Sequence, residues 1–388
     1  SVGFDKNENP TQATVGFAKS CGVEVKELEK LESGKGAWLV FNTILKGKKT
    51  NEIIPGLVEK SLERLPIAKR MRWGNYNIEF VRPIKWILIL FGNKTLNCEI
   101  LGIKSVATSF GHRYHHPDAL EIKSPSEYSN ILRKKGHVIV DYNERLSLIR
   151  SQISSIAKNS KGNAIIDPGL LDEVTSLVEW PVSFIGNFDP EFLKLPKEVL
   201  IATMQDNQKY FPVTNDKKEL MPLFICVSNI ESNNLELIKK GNERVIRPRL
   251  SDAVFFWEWD LKYGLKNHRQ SLKEVVYQKD LGTLYDKSER LVKTLSLIGE
   301  KINLDIDSAK TAAALCLCDL LTKMVSEFPK LQGTMGRYYA KAEGENNDIA
   351  IALEELYQPR FAGDKLPKTL PGQCLAISEK IDSLIGIF

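Results

Sequence analysis

Histidine is scarce in this chain of 388 residues: there are five, and none follows His268. An imidazole-based metal site is therefore excluded from 269 onward. Cysteine is thin as well. Cys21, Cys98, Cys226, Cys316, Cys318 and Cys374 are scattered, form no CxxC pair and have no histidine at zinc-ligand spacing, so they read as reduced cytosolic thiols, mostly small buried hydrophobes. Long apolar runs are missing. The longest, residues 86–91, is far short of the roughly 20 residues a membrane helix needs, and no signal peptide precedes it, so a cytoplasmic protein with no membrane attachment is expected. No glycine-rich segment has the spacing of a phosphate loop or dinucleotide fingerprint; Ser33-Gly34-Lys35-Gly36 reads as a turn. An initiator Met is absent and the sequence stops on Leu384-Ile385-Gly386-Ile387-Phe388, from which an internal piece of a longer protein is expected.

What is present is the composition of a globular protein, with 43% hydrophobic and 27% charged residues, long enough for two or three domains. The net charge of +5 is unevenly spread. Residues 60–115 carry ten Lys/Arg against three Glu, whereas 298–388 carry ten against thirteen acidic residues. A polyanion-binding surface therefore belongs in the first part.

Residues 36–230 mix strand and helix patterns without a βαβ rhythm, which implies an α+β domain. Strands are expected at 37–45, 84–91, 96–103, 138–140, 182–185 and 220–227. Helices are expected near 21–31 and at 53–65, 124–135, 145–157, 170–180 and 197–207, the helix at 145 begun by a capping-box-like Asp141 and Glu144. Beyond 271 strand patterns vanish and helices follow one another at 281–302, 308–328, 335–342, 349–356 and 373–385. The expected division is a lead-in over 1–35, an α+β module over 36–270 and an all-α domain over 271–388.

The oddest stretch is 241–260, which sets Arg244, Arg247 and Arg249 just before Phe255, Phe256, Trp257 and Trp259. Arginine forks suit phosphate or carboxylate, and aromatic faces suit stacked bases. As a helix entered through an Arg/Pro turn, it puts Leu250, Val254, Phe256 and Trp257 on one apolar face. Its place at the change of texture makes it a junction whose aromatics are mainly structural and whose arginines are divided between phosphate and an internal carboxylate. A second basic stretch, Lys69-Arg70-Met71-Arg72-Trp73-Gly74, precedes Phe80-Val81-Arg82-Pro83 and an apolar strand. In Gly111-His112-Arg113-Tyr114-His115-His116-Pro117 a metal reading fails, because adjacent His115 and His116 point apart on an extended chain and no carboxylate or Cys supports them. A polar loop with an anion-facing Arg113 is more economical.

Met71-Arg72-Trp73-Gly74, Phe80-Val81-Arg82-Pro83, Gly111-His112-Arg113, Leu177-Val178-Glu179-Trp180-Pro181-Val182, Gln208-Lys209-Tyr210-Phe211-Pro212, residues 241–256 and Tyr357-Gln358-Pro359-Arg360 resemble the β subunit of bacterial glycyl-tRNA synthetase, in order and along the whole chain. The resemblance implies an α2β2 assembly in which the α subunit holds the class II site for glycine, ATP and Mg, so that this chain carries neither catalytic residue nor cofactor and binds tRNA(Gly). It implies a B3/B4-like α+β module followed by an HD-like helical domain. The HD metal positions fall at Lys287, Cys318, Asp319 and Glu379, a degenerate set, with Asp319 also four residues before Lys323 as an ordinary helix-surface pair would be. For RNA contact it points to Arg70, Arg72, Trp73, Arg82, His112, Arg113, Lys209, Arg247 and Arg249. The rival readings are an HD-type metal-dependent phosphohydrolase, opposed by the missing histidines, and a scaffold whose basic segment meets the α subunit without touching RNA. Editing by the B3/B4-like module rests on analogy alone.

Overall fold

The computed structural model describes every residue except Ser1, Val2, Lys6, Lys35, Leu45, Tyr76 and Asn303. The turn expected at 33–36 includes Lys35 and the strand expected at 37–45 ends on Leu45, so both lie partly outside the described residues. The chain divides into two compact units, Ser1–Ser109 with Lys123–Pro125, and Phe110–Ile122 with Ser126–Phe388. The architecture is mixed α+β with small antiparallel sheets and helices in the majority. Among the described residues no helix is long and apolar enough to cross a membrane.

In the first unit, α1 spans Gln12–Cys21 and ends on Gly22, whose φ of 72° supplies the left-handed C-cap. The hairpin of β1 (Glu29–Ser33) and β2 (Gly36–Val40) follows. The helix expected near 21–31 is thus corrected: the α-helix ends at Cys21, a single 3-10 turn forms at Val25–Glu27, and Glu29–Ser33 pairs as a strand. Helix α2 runs from Thr50 to Glu63, and β3 (Met71–Arg72) pairs with β4 (Glu79–Phe80). The strands expected at 84–91 and 96–103 shrink to two-residue pieces, Leu90–Phe91 with Lys94–Thr95 and Glu99–Ile100 with Ile103–Lys104; Gly102, with positive φ, turns the chain inside the second run, while in the first Ile87 makes only an isolated bridge to Ser105.

The first α-helices of the second unit are α3 (Tyr128–Lys134) and α4 (Tyr142–Asn159). The Asp141 side chain accepts from the Glu144 backbone N–H at 2.8 Å, the N-cap read from the sequence. No strand forms at 138–140; instead Ile139 donates to the Glu179 carbonyl as an isolated bond. Then come β5 (Asn163–Ala164), α5 (Pro168–Leu177), β6 (Val182–Asn187), α6 (Lys197–Ala202), β7 (Phe211–Thr214) and β8 (Leu220–Ser228). The four strands form an antiparallel sheet in the order β5-β7-β8-β6. Its period of two sorts the side chains. Phe211, Val213 and Ile225 join Ile149, Ile153 and Leu171 of α4 and α5 in one cluster, whereas Phe224 joins Ile246 and Leu250 in another. Gly186 on β6 is required by that second packing, since a Cβ there would meet the Phe224 ring at 2.4 Å.

Helix α7 (Leu235–Tyr263) leads to α8 (Leu284–Gly299), α9 (Ile306–Leu315), α10 (Lys323–Glu327), α11 (Thr334–Ala342), α12 (Asn347–Glu355) and α13 (Leu370–Ile387). A short hairpin of Val276–Gln278 and Gly282–Thr283 precedes α8, so strand pairing does not stop at 271. Residues before and after 270, from Phe188 to Leu375, contribute to the same hydrophobic cluster.

Candidate nucleic-acid interface

Helix α8 starts at a capping box in which Thr283 and Asp286 satisfy each other's backbone N–H. That start fixes Lys287 one turn in, facing α13. Its Nζ lies 2.8 Å from Glu379 Oε1, 3.0 Å from Ser383 Oγ and 3.1 Å from the Tyr277 hydroxyl, and 4.2 Å above the Tyr277 ring. Burial pulls the Lys287 pKa down, but the bonds to Glu379 and Tyr277 outweigh it and hold the ammonium above its ordinary value. One turn further, Arg290 makes a bidentate pair with Asp382, Nε to Oδ1 at 2.5 Å and Nη2 to Oδ2 at 3.2 Å.

Asp319 lies in the turn after α9, fully buried. Its Oδ2 accepts from the Gly333 and Gly336 N–H groups at 2.5 and 3.1 Å, at the start of α11, while Oδ1 has no partner. The expected helix-surface pair with Lys323 is therefore corrected: Asp319 turns inward to cap α11. Burial pushes its pKa up to about 6, partly opposed by the Gly333 and Gly336 N–H groups. Burial likewise pushes the Cys318 thiol up to about 12 and Cys316 well above the usual range, which leaves both as neutral, unreactive thiols. The positions that the resemblance assigns to a metal thus hold an ammonium, a thiol and two carboxylates, and the Lys287 ammonium is already bonded to Glu379. These residues do not fit a metal, and among the described residues no three His, Cys, Asp or Glu side chains gather to hold one.

Helix α7 is capped by Asn234, whose side chain accepts from Leu237 N–H at 3.1 Å. It continues straight through Pro248, so the expected Arg/Pro turn is absent. Proline removes one internal hydrogen bond, but Ile246, Leu250 and Ala253 are buried on either side of it and hold the helix together. Trp257 stacks on Tyr339 with centroids 5.2 Å apart. Asp260, also buried, accepts from the Lys323 and Met324 N–H groups at 2.9 and 3.0 Å and from the Tyr339 hydroxyl at 2.8 Å, tying α7 to α10 and α11. Phe256 and Trp257 are structural as expected. Phe255 and Trp259 are not: they remain 53% and 48% exposed.

The arginines of α7 divide as well. Arg247 pairs with Asp189 at 3.2 Å, while Arg244 and Arg249 are exposed and make no ion pair among the described residues. Lys209, held at φ 59° after the π-turn Thr203–Asn207, pairs with Glu173 at 3.0 Å. In the loop after Gly111, Arg113 is exposed and His112 is buried, with Nδ1 accepting from the Tyr114 and His115 N–H groups. The loop seats there because Gly111 and Gly136 touch backbone to backbone; a Cβ on Gly111 would meet Gly136 Cα at 2.6 Å. His115 faces outward, stacked on His137 at 5.1 Å and accepting from the Glu231 N–H at 3.0 Å.

In the first unit Arg70 donates to the Glu63 carbonyl at the end of α2, 2.7 Å, and Arg72 lies 3.7 Å from Glu79 across the β3/β4 hairpin. Trp73 is half-buried and Arg82 exposed, with no ion pair for Arg82 among the described residues. Of the basic residues read from the sequence, Arg82, Arg113 and Arg249 thus point free charge at solvent, whereas Arg70, Arg72, Lys209 and Arg247 already have partners in their own unit. Lys323 escaped the sequence reading as a site residue. Its Nζ lies 4.0 Å from the Trp259 ring centroid and 5.2 Å from that of Phe255; the two aromatics four apart were the available signal, but the lysine 64 residues away from Trp259 was not.

The family model described as "Glycyl-tRNA synthetase beta subunit" matches residues 1–388. The chain is 50% identical over 385 residues to the "Glycine--tRNA ligase beta subunit" of Hahella chejuensis, covering 99% of this chain and 56% of that relative. It is 49% identical over 386 residues to the protein of the same name from Marinobacter nauticus and 46% over 385 residues to that of Pseudomonas aeruginosa strain LESB58, again over 99% of this chain and 56% of each relative. The chain spans just over half the length of these relatives.

Proposed function

The chain belongs to the glycyl-tRNA synthetase beta subunit family, and we propose that it binds and positions tRNA(Gly) for a glycine–tRNA ligase whose glycine, ATP and Mg are held by an α subunit, in an α2β2 assembly in the cytoplasm. The observation that carries this reading is the match along all 388 residues. The disposition of charge supports it. Lys287, Glu379, Asp319 and Cys318, which stand where an HD-type hydrolase would hold its metal ligands, are spent on internal bonds or buried. Arg82, Arg113 and Arg249 instead face solvent, as phosphate contacts require. Positioning needs no acid or base from the positioning part: fixing the acceptor end at the reaction centre lowers the barrier by removing motional freedom from the encounter.

In this reading the sheet-bearing part is a B3/B4-like module and the helices from 271 form an HD-like domain whose metal site has been replaced by the Lys287–Glu379 ion pair. Sedimentation of the full chain mixed with tRNA(Gly), and separately with the α subunit, tests the proposal. Co-sedimentation with tRNA(Gly) alone is expected to survive at moderate salt. Association with the α subunit and none with tRNA would establish the scaffold reading in its place.

A further inference from the structure

Helix α7 carries Phe255, Trp259 and Tyr263 at every fourth residue, which places them along one ridge of the helix. All three stay open to solvent, at 53%, 48% and 43%, on a helix whose opposite face is sunk in the core through Ile246, Leu250, Ala253 and Asp260. Phe255 and Trp259 lie 6.2 Å apart between centroids. Above them stands the Lys323 ammonium, 4.0 Å from the Trp259 ring and 5.2 Å from Phe255. The Lys323 backbone N–H is bonded to Asp260 of α7, which sets the root of its side chain beside the ridge. The ring exposure is what remains with Lys323 in place.

We propose that this ridge is a docking surface for unpaired nucleotides of an RNA strand, the rings stacking on bases and Lys323 meeting the adjoining phosphate. A purely apolar protein partner would bury the Lys323 ammonium, which has no carboxylate partner among the described residues, at a cost in desolvation. A nucleotide supplies a flat π-face and an anion together, and so satisfies the rings and the ammonium at once. Lys262, one residue before Tyr263, adds a second cation. Of the acidic residues nearby, Glu258 is already paired with Lys194 at 3.5 Å, and Asp252 lies one turn before Phe255. Rings standing out from a helix reach base faces only where the bases are unpaired, so the ridge selects single strands over duplex. The inference rests on the tRNA reading above and adds the element that takes unpaired bases.

The test uses the full chain, its Trp259→Ala, Phe255→Ala and Lys323→Gln variants, and three probes: tRNA(Gly), a single-stranded oligoribonucleotide and a duplex RNA of equal length. Thermal unfolding first establishes that each variant folds. Trp259→Ala is expected to weaken single-strand binding roughly tenfold or more, Lys323→Gln to weaken it less and to flatten its salt dependence, and duplex binding to stay within twofold. The intrinsic fluorescence that the oligoribonucleotide quenches in the parent should be the fraction that Trp259→Ala removes, so quenching is lost in that variant. The inference is overturned if single-strand affinity is the same in Trp259→Ala and Phe255→Ala as in the parent, or if those variants lose only association with the α subunit. In both cases undiminished tRNA(Gly) binding by the parent would leave the positioning reading intact, whereas a parent that binds no RNA would remove that reading itself.

Discussion

Lys287→Met is expected to lower the unfolding free energy by about 3 kcal/mol, at the low end of the roughly 3–5 kcal/mol range for a broken buried ion pair. The reason lies in what remains. Lys287 is nearly fully buried, and its removal strands the Glu379 carboxylate, which keeps one hydrogen bond from Ser383 and a 25% exposed side chain. That residual exposure softens the penalty. Tyr277 and Ser383 also lose a shared partner, and with them part of the link between the 276–283 hairpin and α13. The companion replacement Glu379→Leu in the same chain is expected to restore most of the loss, because an apolar pair of similar volume removes the stranded charge. Urea unfolding of the two single variants and the double variant checks this. Equal stability of Lys287→Met and the parent would mean that the ion pair does not hold α8 against α13.

The second large effect is a pH dependence centred on Asp319. Burial raises its carboxyl to about 6 in the folded chain, against about 3.9 unfolded. Between those values the folded state holds the proton and the unfolded state does not. Stability from this residue is therefore greatest at low pH, declines as pH rises from about 4 to about 6, and is level above that. Two units correspond to about 3 kcal/mol. Asp319→Asn keeps an acceptor for the Gly333 and Gly336 N–H groups but cannot titrate. The difference in unfolding free energy, parent minus Asp319→Asn, should thus fall by about 2 kcal/mol between pH 4 and pH 6.5. A difference constant across that range would contradict the burial argument.

Where the sequence pattern was periodic or capped, it was legible. Asp141 with Glu144, the helix begun there, and the continuous apolar run of β8 all appear in place. The first unit was read poorly, because the run over 96–103 is cut by a turn at Gly102 that a window of hydrophobicity averages away, and the run over 84–91 pairs only at Leu90–Phe91 and at the Ile87 bridge. Proline 248 was read as a break because the local cost of proline in a helix is large; burial of Ile246 and Leu250 on both sides outweighs it. For the interface, arginine spacing indicated charge but could not say which guanidinium had a carboxylate waiting elsewhere in the chain. Asp189 is 58 residues from Arg247, and nothing local couples them. His112, read as a contact residue, is buried, with Nδ1 taken by two N–H groups of its own loop and Nε2 without a partner among the described residues. The aromatics were judged mainly structural, while the helix period splits them, turning Phe256 and Trp257 inward and Phe255 and Trp259 outward. Lys323 could be matched to those outward rings only once α10 was docked through Asp260.

The most direct measurement of the central claim is the salt dependence of tRNA(Gly) affinity for the parent chain and for Arg82→Glu with Arg113→Glu. The parent should show log-linear weakening with rising salt, as counterion release demands. Because both arginines are exposed and uncommitted, the doubly substituted chain should bind more weakly and lose about 1 from the slope for each lost phosphate contact. An affinity and slope unchanged by both reversals, or a parent that does not bind tRNA(Gly), would contradict the account.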